Sequence, residues 1–168
     1  MHRKVVSVPT VTLPSPMAVR LALESAVGLS VSIQPSVPLA PREDGPVTVA
    51  VYVDRFLRTL AVVGLDIRLA ALAGAAHSLV PAGVAREAAG VRQLPDLLDN
   101  SLRVVGESLS ALFGGPDVAD PHLYDIYPPG ATVPHDAAAY LMSVRRRMDM
   151  IVSITGYGEG RLSLVLVP

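Results

Sequence analysis

Cysteine and tryptophan are absent from this chain of 168 residues, and only two phenylalanines occur in it. Without cysteine the chain has no disulfide, no thiolate metal site and no cysteine nucleophile, and it is compatible with a reducing compartment. With so few aromatic residues, we expect a core built from many small contacts among valine, leucine and alanine.

Sequence signals for a metal or a nucleotide are missing as well. No two of the four histidines have the spacing of metal ligands, so we expect no metal site; they are His2, His77, His122 and His135. The chain has neither a phosphate loop ending in Gly-Lys-Ser/Thr nor a Gly-x-Ser-x-Gly nucleophile elbow. The glycines between Gly156 and Gly160 lie between two predicted strands, which is typical of a hairpin turn and not of a dinucleotide-binding loop. The sequence therefore implies no cofactor.

Charge and hydropathy limit the partners further. The formal net charge is −1, so the molecule as a whole has no strong attraction for nucleic acid or for an anionic membrane. No window approaches the ~18 uncharged apolar residues that cross a bilayer. The basic N-terminus is followed by alternating polar residues instead of the apolar segment of a signal peptide. We expect a cytoplasmic protein that binds neither nucleic acid nor membrane.

The length of the chain suits a single domain, residues 1–168, and 51% of its residues are hydrophobic. The hydrophobic residues recur with clear periodicity. The pattern predicts helices at 16–27, 67–79, 82–89, 95–114 and 136–146, and strands at 5–13, 29–37, 47–53, 60–65, 123–127, 150–154 and 162–166. Ser15 and Asp66 are placed to cap two of the helices, and Gly28 to end the first. The strand at 47–53 alternates as a half-buried strand does. We predict an α+β fold, a mostly antiparallel sheet with helices packed on one face and no internal repeat.

The helix that begins at Pro95 has two stripes. Its buried face is predicted by five apolar residues at spacings of four and three: Leu98, Leu102, Val105, Leu109 and Leu112. Four polar residues at spacings of three and four form a second stripe, which is the candidate partner-binding face: Asn100, Arg103, Glu107 and Ser110. An ordinary amphipathic helix with an Arg103–Glu107 ion pair on its solvent side would explain the same spacing.

The segment Gly106-Glu-Ser-Leu-Ser-Ala-Leu-Phe-Gly114 resembles the helix signature of the CheC/CheX family of chemotaxis phosphatases, which reads approximately Gly-Glu-x-x-Asn, apolar residues, Gly. The order of predicted elements over residues 15–167 is also similar, apart from the helix at 136–146 and the loop at Pro128-Pro129. The resemblance implies a CheX-like fold whose motif helix docks on a phosphorylated response-regulator receiver. Glu107 would contact the receiver's lysine.

The asparagine of that signature orients the water that attacks the aspartyl phosphate, and an amide suits this role because it both donates and accepts hydrogen bonds. In this chain Ser110 occupies the asparagine position. The resemblance therefore supports the fold and a partner-binding role more than it supports catalysis. Any magnesium ion would belong to the receiver.

Three functions are consistent with the sequence. The one we favour is a CheX-like regulatory domain that binds a partner protein, such as a receiver, with weak or no phosphatase activity. The second is an active aspartyl-phosphate phosphatase in which Glu107 anchors the receiver and Ser110 places the water. The third is a non-catalytic homodimer joined through sheet edges, with the C-terminal hairpin and the run Arg145–Arg147 at the interface. That run is otherwise the solvated end of a helix or a patch for an acidic partner.

Overall fold

The computed structural model describes residues 10–40 and 45–168, and it has one six-stranded sheet with helices packed on it. The predicted α+β fold class is confirmed. The elements, in chain order, are α1 (Pro16–Val27), β1 (Val31–Pro35), β2 (Val47–Val53), β3 (Thr59–Asp66), α2 (Ile67–His77), α3 (Ala82–Val91), α4 (Asp96–Ser108), a 3₁₀ turn (Leu109–Phe113), β4 (His122–Tyr127), α5 (His135–Leu141), β5 (Arg147–Ile154) and β6 (Gly158–Leu166).

The sheet has an internal twofold arrangement. Its strands lie in the order β1-β5-β6-β3-β2-β4, and every neighbouring pair is antiparallel. The first half of the chain supplies α1-β1-β2-β3 and the second supplies α4-β4-β5-β6. Each strand of the first half has a counterpart in the second half at the same distance from the centre of the sheet, on the opposite side. The counterparts β3 and β6 are central, β2 and β5 lie next to them, and β1 and β4 are at the edges. The two halves therefore share their topology, although the sequence contains no detectable internal repeat.

Helices α1, α2 and α4 pack on one face of the sheet and enclose the larger apolar cluster. There the rings of Tyr52 and Phe113 lie with their centroids 4.7 Å apart. The backbones of α2 and α4 approach closely at Gly74, where an added Cβ would lie 2.5 Å from the carbonyl oxygen of Leu98. Only glycine permits this approach without displacing one helix.

The opposite face of the sheet is also covered, by α5 and by the loop that carries Leu39. In β2, Ala50 and Tyr52 face the helices, whereas Val49 and Val51 face α5. All residues of β2 are buried as a result. The prediction of a half-buried strand is wrong because it did not include a second covering layer.

The predicted helix caps are confirmed. The side chain of Ser15 accepts a hydrogen bond from the backbone N–H of Ala18 at 3.1 Å, and Gly28 ends α1 with φ of 73°. At α2 the side chain of Asp66 accepts from the N–H of Leu69 at 2.8 Å. These side chains satisfy N–H groups that have no partner within the helix.

Two predicted elements end or begin elsewhere. The helix predicted to reach Gly114 ends at Ser108, and the tighter 3₁₀ turn after it keeps Leu109 and Phe113 buried. Of the predicted first strand, residues 10–13 are not in a strand, and residues 5–9 lie outside the described residues.

The run Arg145–Arg147 is neither the end of a helix nor one basic patch. Helix α5 ends at Leu141, and Arg147 already belongs to β5, where its guanidinium pairs with Asp149 at 2.8 Å. Arg146 donates to the carbonyl oxygen of Val11. The homodimer hypothesis required the C-terminal hairpin to lie at a sheet edge. It does not, because β5 and β6 are interior strands.

Candidate functional site

Arg103 of α4 fastens the helix to the edge strand β4. Its guanidinium donates to Asp125 at 2.9 Å and to the carbonyl oxygen of Ile126 at 3.2 Å, and a longer contact of 3.4 Å reaches Asp99. The hydrogen bond with Asp125 raises the pKa of Arg103 above its ordinary value. The ion pairs of Arg103 are thus with Asp99 and Asp125, and the predicted pair with Glu107 is wrong.

Glu107 is exposed in the last turn of α4, and its carboxylate also reaches β4. Oε2 accepts a hydrogen bond from the backbone N–H of Leu123 at 3.0 Å. Since β4 pairs only with β2 among the described strands, this N–H is an outward-facing donor of an edge strand. The other edge repeats the contact: Oε1 of Glu24 in α1 accepts from the N–H of Val31 in β1 at 3.1 Å. At each edge of the sheet, a glutamate from a helix therefore satisfies one backbone N–H group of the edge strand.

Gly106, which precedes Glu107 in the motif, brings α4 onto the sheet. A Cβ at this position would lie 2.7 Å from Cδ1 of Ile126. The buried hydroxyl of Tyr52 donates to the carbonyl oxygen of Gly106 at 2.7 Å. Burial raises the pKa of Tyr52 far above its ordinary value, and the nearby Glu107 carboxylate raises it further. The tyrosine therefore stays a neutral donor, and the Gly-Glu pair of the motif combines close packing with an exposed carboxylate.

Ser110 and Asn100 are not joined to Glu107 in one catalytic cluster. Ser110 lies in the 3₁₀ turn, and its Oγ donates to the backbone carbonyl oxygen of Glu107 at 2.6 Å. Asn100 is exposed, seven residues or about 10 Å before Glu107 along the helix. The four predicted residues share one side of the α4 region, but only Arg103 and Glu107 contact β4 with their side chains.

Sequence reasoning missed the β4 half of this site. Asp125 lies 22 residues from Arg103, and the donor at Leu123 is a main-chain group that no side-chain motif marks. One local signal did exist, since Arg20 and Glu24 in α1 repeat the four-residue spacing of Arg103 and Glu107. We define the α4–β4 surface as Arg103, Glu107, Ser110 and the exposed side of β4.

No model of a protein family matches the sequence, and no curated protein matches it either. Solved structures do match over most of the chain. The FliM middle domain from Vibrio alginolyticus is 11% identical, covers 90% of this chain and 87% of its own, and superposes with a TM-score of 0.51. FliM in a FliG–FliM complex from H. pylori is 16% identical over 89% of this chain and 86% of its own, with a TM-score of 0.50.

The chain has the fold of the FliM middle domain. This is the fold that CheC, CheX and FliM share, so the predicted CheX-like resemblance is confirmed at the level of the fold. A CheX–CheY complex from Borrelia burgdorferi also matches, with 12% identity, 90% of this chain and 94% of the other covered, and a TM-score of 0.47. Among the described residues, no helix is both long enough and apolar enough to cross a membrane.

Proposed function

We propose that the chain is a regulatory protein-binding domain with weak or no phosphatase activity, which docks a partner such as a response-regulator receiver on the α4–β4 surface. The observation that carries the proposal is the exposed Glu107 in the last turn of α4, beside an edge strand. A helix end and a strand edge together offer charged side chains and backbone groups to another protein. The solved structures with this fold include FliM bound to FliG, which supports a protein partner.

The state of Ser110 favours binding over catalysis. The hydroxyl group has one hydrogen, and here it is donated to the carbonyl oxygen of Glu107 at 2.6 Å. A water at this point has only the lone pairs of Ser110 to hold it, whereas an asparagine amide would both donate and accept. In-line attack on an acyl phosphate needs a water fixed in position and direction. We therefore rank the active phosphatase below the binding domain.

Glu107 has the freedom that a docking residue needs. One carboxylate oxygen accepts from Leu123, and the side chain is exposed to solvent. The carboxylate can accept further hydrogen bonds from a partner's lysine, because each ionised oxygen has more than one acceptor site. Arg103, whose side chain is 40% exposed, adds a guanidinium group paired with Asp99 and Asp125 to the same surface.

The deciding experiment measures binding of the purified protein to receiver domains held in the phosphorylated state by beryllofluoride. Glu107→Ala should abolish binding that depends on beryllofluoride. Glu24→Ala is the matched control, because it removes the same kind of edge contact at β1 and leaves α4 intact. No binding to any receiver, or equal loss in both variants, would refute a receiver-docking role for the α4–β4 surface.

Catalysis is tested separately, by the rate at which a phosphorylated receiver loses phosphate. We expect the wild-type protein to leave this rate nearly unchanged, and Ser110→Asn to be the variant that raises it. A strong acceleration by the wild-type protein that Glu107→Ala removes would establish the phosphatase instead.

A further inference from the structure

The turn between β2 and β3 is fixed by a buried carboxylate. The side chain of Asp54 has no exposed surface, and its Oδ1 accepts hydrogen bonds from the backbone N–H groups of Phe56 and Arg58, each at 2.9 Å. Its Oδ2 accepts from Nε of Arg58 at 2.7 Å. These three hydrogen bonds to one carboxylate stabilise the conformation of the turn.

That conformation places a bulky residue where the backbone prefers glycine. Leu57 has φ of 61°, in the left-handed region, which a branched side chain disfavours. Packing in the core does not explain why a leucine occupies this position, because Leu57 is 63% exposed. Leu57 therefore holds an apolar side chain in solvent at a backbone conformation that glycine adopts more easily, and unlike Leu79, which shares both properties, it lines a groove.

Leu57 belongs to a cluster of exposed apolar side chains. Phe56 beside it is 65% exposed, and Tyr124 on β4 is 57% exposed. Leu57 and Tyr124 line a groove of about 290 Å³, which we call the Leu57 groove and which is also lined by Tyr127 and by Val51 and Val53 of β2. The groove lies on the face of the sheet opposite α4, and Arg103, Glu107 and Ser110 do not line it.

The charge of the groove is negative. Among the residues that the structure describes, Asp136, at the start of α5, is the only charged residue that lines it. Burial, then the charge of Asp125 and the groups at Tyr124 and Asp136, raise the pKa of Tyr127. The nearby cation Arg58 is neutralised by Asp54, and its guanidinium lies 5.2 Å from the centre of the Phe56 ring.

We propose that the Leu57 groove binds a segment of a partner protein that inserts an apolar side chain against Leu57 and places a lysine or arginine beside Asp136 and the two tyrosines. Aromatic rings and a carboxylate attract a cation together, and exposed apolar anchors are typical of the centre of an interface. The proposal holds whether or not a receiver docks on α4, since the groove shares no side chain with Arg103, Glu107 or Ser110.

The probes are two short peptides with blocked ends, Leu-Arg-Leu-Arg and Leu-Glu-Leu-Glu, titrated into the isotope-labelled protein while backbone amide shifts are recorded. The basic peptide should shift the amides of Leu57, Tyr124, Tyr127 and Asp136, and the acidic peptide should not. Asp136→Asn keeps the contact with the N–H of Ala137 that Asp136 makes at 2.9 Å, and it should weaken binding of the basic peptide.

The critical variant is Leu57→Gly, with Leu79→Gly as control, because Leu79 also has a positive φ, 59°, and is 83% exposed but does not line the groove. We expect Leu57→Gly to weaken peptide binding by about fivefold or more while the thermal midpoint of unfolding stays equal or rises. Leu79→Gly should leave binding unchanged.

Three results would overturn the proposal. They are equal binding of both peptides, unchanged binding in Leu57→Gly, and no amide shift with either peptide at millimolar concentration. A fall in the thermal midpoint of Leu57→Gly would show that Leu57 serves the fold, and it would equally remove the basis of the proposal.

Discussion

The carboxylate of Glu107 and the backbone N–H of Leu123 lie 3.0 Å apart, and this contact joins the last turn of α4 to an edge strand. An unpaired edge donor invites a strand from another chain, and proteins commonly block such groups. Glu107 therefore has a structural role alongside the binding role proposed for it. A partner that binds Glu107 therefore shares this carboxylate with the N–H of Leu123.

The first prediction concerns this contact. Glu107→Ala should speed hydrogen exchange of the Leu123 amide, because its acceptor is lost, while global stability falls by about 1 kcal/mol or less. Glu107→Gln keeps an acceptor oxygen and should exchange more slowly than the alanine variant. Amide exchange followed by NMR gives the answer. Equal exchange at Leu123 in all three proteins would show that the hydrogen bond does not protect this edge.

The second prediction tests the close approach of α2 and α4. Gly74→Ala would put a Cβ 2.5 Å from the carbonyl oxygen of Leu98, a backbone atom that cannot turn aside. We expect a loss of about 1–3 kcal/mol in the free energy of unfolding, the usual cost of overpacking. Gly90→Ala is the control, since nothing lies within 4 Å of its added Cβ, and it should be neutral or stabilising by up to about 1 kcal/mol. Urea denaturation measures both; similar values for the two variants would contradict the packing argument.

The third prediction is a pH dependence at the β2–β3 turn. Burial tends to raise the pKa of Asp54, but the hydrogen bonds from Arg58 and Phe56 outweigh burial and lower it below its ordinary 3.8. A carboxyl whose pKa is lower in the folded state stabilises the fold above its unfolded-state pKa, and this contribution is lost as the pH falls through the folded-state pKa.

Asp54→Asn should accordingly lose about 1–2 kcal/mol at neutral pH. The difference from wild type should narrow as the pH falls below the ordinary carboxyl pKa of 3.8 and through the lower folded-state pKa. Urea unfolding at a series of pH values provides the test. A difference that stays constant down to pH 2 would mean that the charge of Asp54 is not what holds the turn.

The fourth prediction concerns the ion pair between Arg103 and Asp125. Their side chains are 40% and 45% exposed, so solvent screens the 2.9 Å contact. A double-mutant cycle with Arg103→Gln and Asp125→Asn should give a coupling energy of about 0.2–1 kcal/mol, smaller in high salt. A coupling several times larger that salt does not reduce would show that the pair behaves as a buried one.

The sequence predicted those parts of the fold that depend on neighbours along the chain. Ser15 and Asp66 cap their helices as expected, and the alternation in β2 marks a strand. The same alternation did not show that both faces of β2 are covered, because the second layer comes from α5 and Leu39.

The candidate site was predictable on the helix and not on the strand. The positions of Arg103 and Glu107 on one side of α4 follow from the helical period, but their partners are set by the sheet order. A four-residue spacing favoured a pair between these two residues, and tertiary contacts with Asp125 and Leu123 took precedence. Peptide-level energies of such helix pairs are a few tenths of a kcal/mol, so distant partners readily override them.

The twofold arrangement of the sheet has a consequence for stoichiometry. The residue three positions after Glu24 is Val27, which is only 4% exposed, whereas three positions after Glu107 the chain has the polar Ser110. The carboxylate of Glu24 is also shared between Arg20 and Val31. The position three residues after the glutamate is thus part of the core in the first half, at Val27, and polar in the second half, at Ser110. The docking proposed for the α4–β4 surface therefore has no counterpart at the other edge of the sheet, and we expect the chain to bind one partner molecule at a time.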